Sequence, residues 1–280
     1  MLSERTIVDG LDHPECVIAG IDGYLYAGSE RGDIYRIDPV EGSFKVIAST
    51  GGFVLGLAMD GSGYLYACDN AHSAVLRISP AGEISTYSTG TADRPMRVPN
   101  YASFDASGNL YVSDSGGWGD EDGSIYRISP DGVTEVWTES TSAFPNGLAL
   151  SLGGTHLYVV ESNPPSIKRV EIAADGTAGR TELVIELPGT VPDGIAFDED
   201  ANLYISCYRP DVIYRLTRSG ALEIFSEDWQ GTRLAAPTNV AFGVSGSAEL
   251  YVANFARWHI SRFTTPTSGL PLSYPILDAG

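Results

Sequence analysis

Glu15, Leu55, Asn100, Asn146, Asp193 and Asn239 each stand eleven or twelve residues ahead of a tyrosine in one recurring phrase, so they hold one position of a repeat. Five of these six carry a side-chain oxygen, two of them as carboxylates. Such groups gathered at one level suit a hard divalent cation, because Ca2+ takes about 6 to 8 oxygen ligands and asparagine carbonyls ligate without adding charge. Asx residues also cap strand starts and turns. Capping accounts for one or two of these positions, but not for a Glu, an Asp and several Asn in register. A second position lies three residues after each tyrosine and holds Ser29, Asp69, Asp114, Glu161, Cys207 and Asn254. Simple hairpin pairing predicts Asp114 opposite Asn100 and Glu161 opposite Asn146. There the two acids would orient ligand amides, act as a general base, or bind a neighbouring loop.

The elements that must position these groups follow from the same repeat. The tyrosines, Tyr26, Tyr66, Tyr111, Tyr158, Tyr204 and Tyr251, are spaced 40, 45, 47, 46 and 47 apart, in phrases such as GYLYAG, GNLYVSD and ANLYISC. Each is preceded by a small apolar run and a Gly/Asp/Ser turn. Each is followed by an alternating phrase with an arginine, at Arg36, Arg77, Arg127, Arg169, Arg215 and Arg262. A looser fourth run completes the unit. Four strands in 40 to 50 residues fit a propeller blade, and no long 3.6-residue period competes. The chain is therefore expected to be all-β, a single domain over 1–280, with six four-stranded antiparallel blades around a central channel. An open blade would leave an unpaired edge, so the segment 1–10, which contains RTIV, is expected to close the last blade. The six arginines are expected to join blade to blade.

Composition narrows the function. With 17 Lys+Arg against 36 Asp+Glu the net charge is −19, and Lys45 and Lys168 are the only lysines. That balance argues against nucleic acid and anionic membrane surfaces as partners, leaving a small molecule. No run approaches the roughly 18 apolar residues of a membrane span, and the polar start lacks an apolar leader core, so a soluble cytoplasmic protein is expected. Nothing in the composition selects an oligomeric state. Cys16, Cys68 and Cys207 have no zinc-ligand spacing and read as buried reduced thiols. His13, His72, His156 and His259 lack any HExxH or triad context. Trp118, in the acidic loop SGGWGDEDGS, and Tyr208, Arg209, Arg257 and Trp258, in equivalent loops of repeats five and six, are candidates to line a pocket.

VPNYASFDASGNLYVSDS, FPNGLALSLGGTHLYVVES, VPDGIAFDEDANLYISCY and PTNVAFG make nearly the whole chain resemble the senescence-marker-protein/gluconolactonase/luciferin-regenerating-enzyme family of six-bladed propellers. The resemblance implies a divalent-metal site on Glu15, Asn146 and Asp193, with Asn100 as fourth ligand or substrate contact. Calcium is the expected ion, with magnesium, manganese or zinc as alternatives. It also implies hydrolysis of a sugar lactone or related cyclic ester at the channel mouth, with Asp193, Asp114 and Glu161 as candidate catalytic groups. Tyr101 stands where the family commonly has an acid assigned to proton transfer. The family's substrate-contacting arginine position holds Val98, with Arg97 one residue away. Asn100, Tyr101, Arg97, Trp118, Tyr208 and Trp258 are the expected substrate contacts. A second class of function stays open: a non-catalytic, small-ligand-binding propeller with a structural calcium ion.

Overall fold

A computed structural model describes residues 4–244 and 246–277; residues 1–3 of the segment expected to close the last blade lie outside it. The strands assemble into six four-stranded antiparallel sheets. Blades 1 to 5 each use four consecutive strands, with inner strands Pro14–Ala19, Val54–Met59, Pro99–Phe104, Pro145–Leu150 and Val191–Phe197. Blade 6 has Pro237–Phe242 innermost, and its outer strand is Glu4–Val8, paired with His259–Thr264 from the other end of the chain. The inner strands neighbour one another in a closed ring, which makes a six-bladed propeller. Among the described residues, the one helical element is a single turn, Phe255–Arg257, and no helix is long and apolar enough to cross a membrane.

Local chemistry explains the hairpins. In blade 3 the Asp105 carboxylate accepts the amides of Ser107 and Asn109, both at 2.9 Å, and Gly108 takes φ 88°, so the DASG sequence turns the chain by itself. Asp60 does the same for Ser62 and Tyr64 in blade 2. Each repeated tyrosine pairs directly with the repeated arginine of the next strand, as Tyr26 with Arg36 and Tyr158 with Arg169.

The arginines do not join blade to blade as expected. Arg36 binds Asp22 at 2.8 Å, Arg169 binds Glu182 at 2.6 Å and Arg262 binds Glu249 at 2.8 Å, all within one blade, and Arg77 lies over Tyr64. Only Arg127 also reaches across, to the Gly176 carbonyl of blade 4. The cross-strand partner is nearer than the next blade, so it captures the guanidinium. Blade-to-blade contact falls instead to rings: Tyr66 meets Phe104, Tyr158 meets Phe197 and Tyr204 meets Phe242 edge to face, with centroids 5.0, 4.9 and 5.3 Å apart.

Nearer the axis, hydroxyls stitch each blade to the next. Ser113 donates to the Asn146 carbonyl at 2.7 Å, Ser162 to Pro192 at 2.7 Å, Ser206 to Thr238 at 3.1 Å, and Thr238 to Glu15 at 2.7 Å. Backbones approach so closely that a Cβ on Gly147 would lie 2.5 Å from the Asp193 carbonyl oxygen.

Two register expectations are corrected. Asp114 pairs with Pro99 and Glu161 with Pro145, not with the asparagines that follow, because the inner strands bulge just after their first residue. The bulge lifts Asn100 and Asn146 out of the ladder. In blade 6 the position equivalent to Asn100 is Thr238: Ala241 pairs with Tyr251 as Ser103 pairs with Tyr111, and the longer hairpin of blade 6 absorbs one more residue than counting allows. Asn239 is therefore the equivalent of Tyr101.

Gly147→Ala is expected to destabilise the protein by about 1–3 kcal/mol through overpacking. Chemical denaturation measures it, and an unchanged midpoint would mean that the inner ring is not tightly packed there.

Candidate functional site

With the register corrected, one ring of equivalent positions reads Glu15, Leu55, Asn100, Asn146, Asp193 and Thr238, at the starting ends of the six inner strands. Glu15 and Asp193 remain partly accessible along the channel, yet enclosure by the inner strands desolvates them. Burial raises both carboxyls. For Glu15 the negative charges of Asp193 and Glu30 add to burial and carry it well above the usual carboxylate range. Asp193 is pushed up to about 8 by burial, against the pull of a hydrogen bond from the Asn146 side chain. Two desolvated carboxylates that raise a proton's affinity are short of positive charge.

The asparagines between them are held in a definite sense. Asn100 donates its amide to Ser115 Oγ at 2.9 Å, and Ser115 donates on to the Pro145 carbonyl at 2.8 Å. Asn146 donates to Ser162 Oγ at 3.3 Å, which continues to Pro192. Tying its nitrogen back against the wall leaves Asn100 Oδ1 without a protein donor in this network, as an oxygen ligand requires, while the Asn146 amide is shared between Ser162 and Asp193. Among the described residues no group of three or more His, Cys, Asp or Glu could hold a metal ion, so any cation here would draw on amide as well as carboxylate oxygens. The donor set, two carboxylates and two carbonyl oxygens, fits a hard ion such as calcium rather than a soft one.

One step deeper the equivalent residues are Cys16, Gly56, Tyr101, Gly147, Gly194 and Asn239, small except at two opposed blades. There Tyr101 and the Asn239 side chain meet across the axis. Asn239 Oδ1 accepts the Val17 amide at 3.3 Å, which turns the nitrogen toward the phenol. Burial pushes the Tyr101 phenol up to about 12, so it stays protonated at neutral pH. Tyr101 thus floors the acidic ring.

Asp114 and Glu161 have their oxygens occupied. Asp114 accepts the amides of Arg97 at 2.7 Å and Val98 at 2.8 Å, and Glu161 accepts the Ala143 amide at 3.1 Å, the Ser166 hydroxyl and the Lys168 ammonium at 2.8 Å. Asp69 likewise takes the Phe53 amide and Asn254 takes that of Ala235. In these four blades the group three residues after the tyrosine therefore clips the loop that leads into the inner strand.

At the rim, Trp258 packs on His13 at 4.8 Å, and Tyr208 lies 6.5 Å from Phe255, which also touches His13 at 5.0 Å and Phe53 at 6.3 Å. Trp118 is more than half exposed and stands edge-on to Phe144 at 4.9 Å. Arg97 turns outward to Asp122 and does not join this group. His72 binds the clip residue Asp69 at 2.9 Å, and His259 Nε2 donates to the Arg233 carbonyl at 2.8 Å, with burial lowering its pKa. Phe53, Phe144 and Phe255 are rim aromatics that sequence reasoning missed. A signal existed: the position two before the ring residue holds His13, Phe53 and Phe144 in three of the six repeats. The three cysteines are free and buried.

Comparison with known proteins finds the SMP-30/Gluconolactonase/LRE-like region over residues 15–256. Strictosidine synthase-like 3 of Arabidopsis thaliana is 28% identical over 202 residues, 66% of this chain and 51% of its own length. Lactonase drp35 of Staphylococcus haemolyticus is 30% identical over 110 residues, 38% of this chain and 34% of its own. The matched stretches thus span about half and a third of these two relatives. Among solved structures, a calcium-binding protein, regucalcin, from Agrobacterium tumefaciens superposes with a TM-score of 0.81 at 16% identity, covering 99% of this chain and 98% of that one, a likeness of fold.

The carboxyl pair gives the metal-free protein a pH signature. Between the ordinary Asp value of about 4 and about 8, the folded chain keeps an Asp193 proton that the unfolded chain releases, so this contribution to stability is lost as pH rises across that window, and the raised Glu15 adds a loss of the same sign. Melting in chelator from pH 5 to 8 is expected to show a declining Tm, and Asp193→Asn to make the decline shallower, with Glu15 supplying the remainder. An identical slope in the variant would remove Asp193 as its source.

Proposed function

Because the chain belongs to the SMP-30/gluconolactonase/LRE-like family, we propose that it is a divalent-metal-dependent hydrolase of a lactone or related cyclic ester, working at the mouth of the propeller channel. The observation that carries the reading is the ring itself: two desolvated carboxylates, Glu15 and Asp193, at one level with two asparagines whose amide nitrogens are tied back to Ser115 and Ser162. The relatives named as lactonase and as calcium-binding regucalcin support the substrate class and the ion.

Glu15, Asp193 and Asn146 would hold the cation, with Asn100 beside them. When bound, a divalent ion polarises an ester carbonyl and lowers the pKa of water. Asp193 receives the proton as water attacks the carbonyl carbon, and returns it to the ring oxygen as the carbon–oxygen bond of the lactone breaks. Asp114 and Glu161 are assigned here as positioning residues, since both already bind loop amides that set the approach to Asn100 and Asn146. The protonated phenol of Tyr101 closes the bottom of the site and limits how deep a substrate reaches. His13, Phe53, Phe255, Tyr208 and Trp258 form an aromatic collar that favours an apolar portion on the substrate.

A panel of lactones and esters assayed with calcium and with chelator tests the reading. Turnover is expected with calcium alone; calcium binding without turnover on any member would favour the binding-module alternative. Once a substrate is found, Asp193→Ala should abolish both calcium binding, measured by calorimetry, and hydrolysis. Asp114→Asn should keep calcium and lose less than about tenfold in kcat, because removing a general base costs about 10²-fold or more. A larger loss with the fold intact would return the proton-transfer role to Asp114.

A further inference from the structure

Beneath Tyr101 the channel opens again into a cavity of about 370 Å³. Its wall comes from the far halves of the six inner strands, with Leu57, Phe104, Leu148, Ile195, Phe197 and Phe242 prominent, and none of the ring residues above Tyr101 lines it. Among the described residues the lining holds no Lys, Arg, His or Glu. The one carboxylate among those residues, Asp105, is spent on the turn at Ser107 and Asn109.

The far end is crossed by the C-terminal segment. Leu270 donates its amide to the Phe197 carbonyl at 2.9 Å, the Tyr274 hydroxyl bonds the Ala19 carbonyl at 2.8 Å, and the Pro275 carbonyl accepts from Gly61 at 2.7 Å. Between these anchors Pro271, Leu272 and Ser273 make no hydrogen bond to the blades among the described residues, and Leu272 is half exposed. The strap is pinned at both sides and free in the middle, which is how a cover over a chamber must be built if it is to open.

We propose that this lower chamber is a second binding site, for a neutral apolar small molecule of about the size of a two-ring hydrocarbon, admitted past the strap. Size argues for it: an apolar cavity of about 150 Å³ stays dry and takes benzene, and this one is more than twice as large. Charge argues for neutrality. Among the described lining residues nothing cationic would meet an anion and a cation would find only an already committed carboxylate, while the chain as a whole carries −19. Apolar walls with a few polar groups are the ordinary make-up of a small-molecule pocket. Tyr101 separates this chamber from the acidic ring, so occupancy requires neither metal nor turnover.

Naphthalene titrated into the intact protein in chelator, followed by its fluorescence and by amide shifts in 15N–1H spectra, tests the proposal. Saturable one-to-one binding is expected, with shifts at Leu57, Ala102, Leu148 and Leu272 and none at Glu15 or Asp193. Ala196→Phe and Ala149→Phe, which place a ring in the cavity, should each weaken binding tenfold or more while a cooperative melt is retained. Absence of saturation up to the solubility limit, shifts centred on the aromatic collar, or unchanged affinity in a folded filled variant would overturn it. If neither filled variant folds, the shift map of the natural chain decides alone.

Discussion

The crowding of six strand starts around one axis governs this molecule. The inner strands come so near each other that Gly56, Gly147 and Gly194 have no room for a Cβ, and the neighbouring backbones are stitched by Ser113, Ser162, Ser206 and Thr238. A strand packed that tightly on both edges relieves itself by bulging, and the bulge turns the residue after the first proline out of the ladder. That single distortion, repeated around the ring, is what brings Glu15, Asn100, Asn146 and Asp193 to one level. The acidic ring is thus a by-product of closure put to use.

Closure also sets the electrostatics. A surface pair of carboxylates would keep ordinary pKa values; inside the ring the same groups lose water and gain each other's charge. The side chains around them are arranged to sharpen this. Asn100 and Asn146 are tied back through their nitrogens, and the acids that follow the tyrosines are occupied by loop amides instead of adding charge to the axis. Tyr101 and Asn239, on opposed blades, then divide the channel into an acidic upper part and an apolar lower part.

The sequence showed the blade count, the strand pattern and the ring residues of five blades, because each is a local feature repeated at nearly constant spacing from a tyrosine. It misplaced the sixth ring residue by one, Asn239 for Thr238, since a hairpin length cannot be counted from the phrase it precedes. It assigned Asp114 and Glu161 as partners of the asparagines for the same kind of reason: simple pairing knows nothing of a bulge. The aromatic collar was half visible. His13, Phe53 and Phe144 share a register, and Phe255 follows Tyr251 at the same distance as Tyr208 follows Tyr204.

Periodicity and turn chemistry were therefore enough to determine an all-β propeller with oxygen-bearing residues in register around its axis, from which the family resemblance singled out Glu15, Asn146, Asp193 and Asn100 as the candidate cation site. Only the tertiary structure decided which way each of those groups faces, which acids are free, and that the arginines serve their own blades. It alone decided that Tyr101 reaches a residue on the opposite blade and that a strap of the C-terminal segment roofs an apolar chamber. The physical reason is distance along the chain. Local hydrogen bonding fixes strands and turns within a few residues, but contacts across the axis join positions more than a hundred residues apart, and those depend on ring closure.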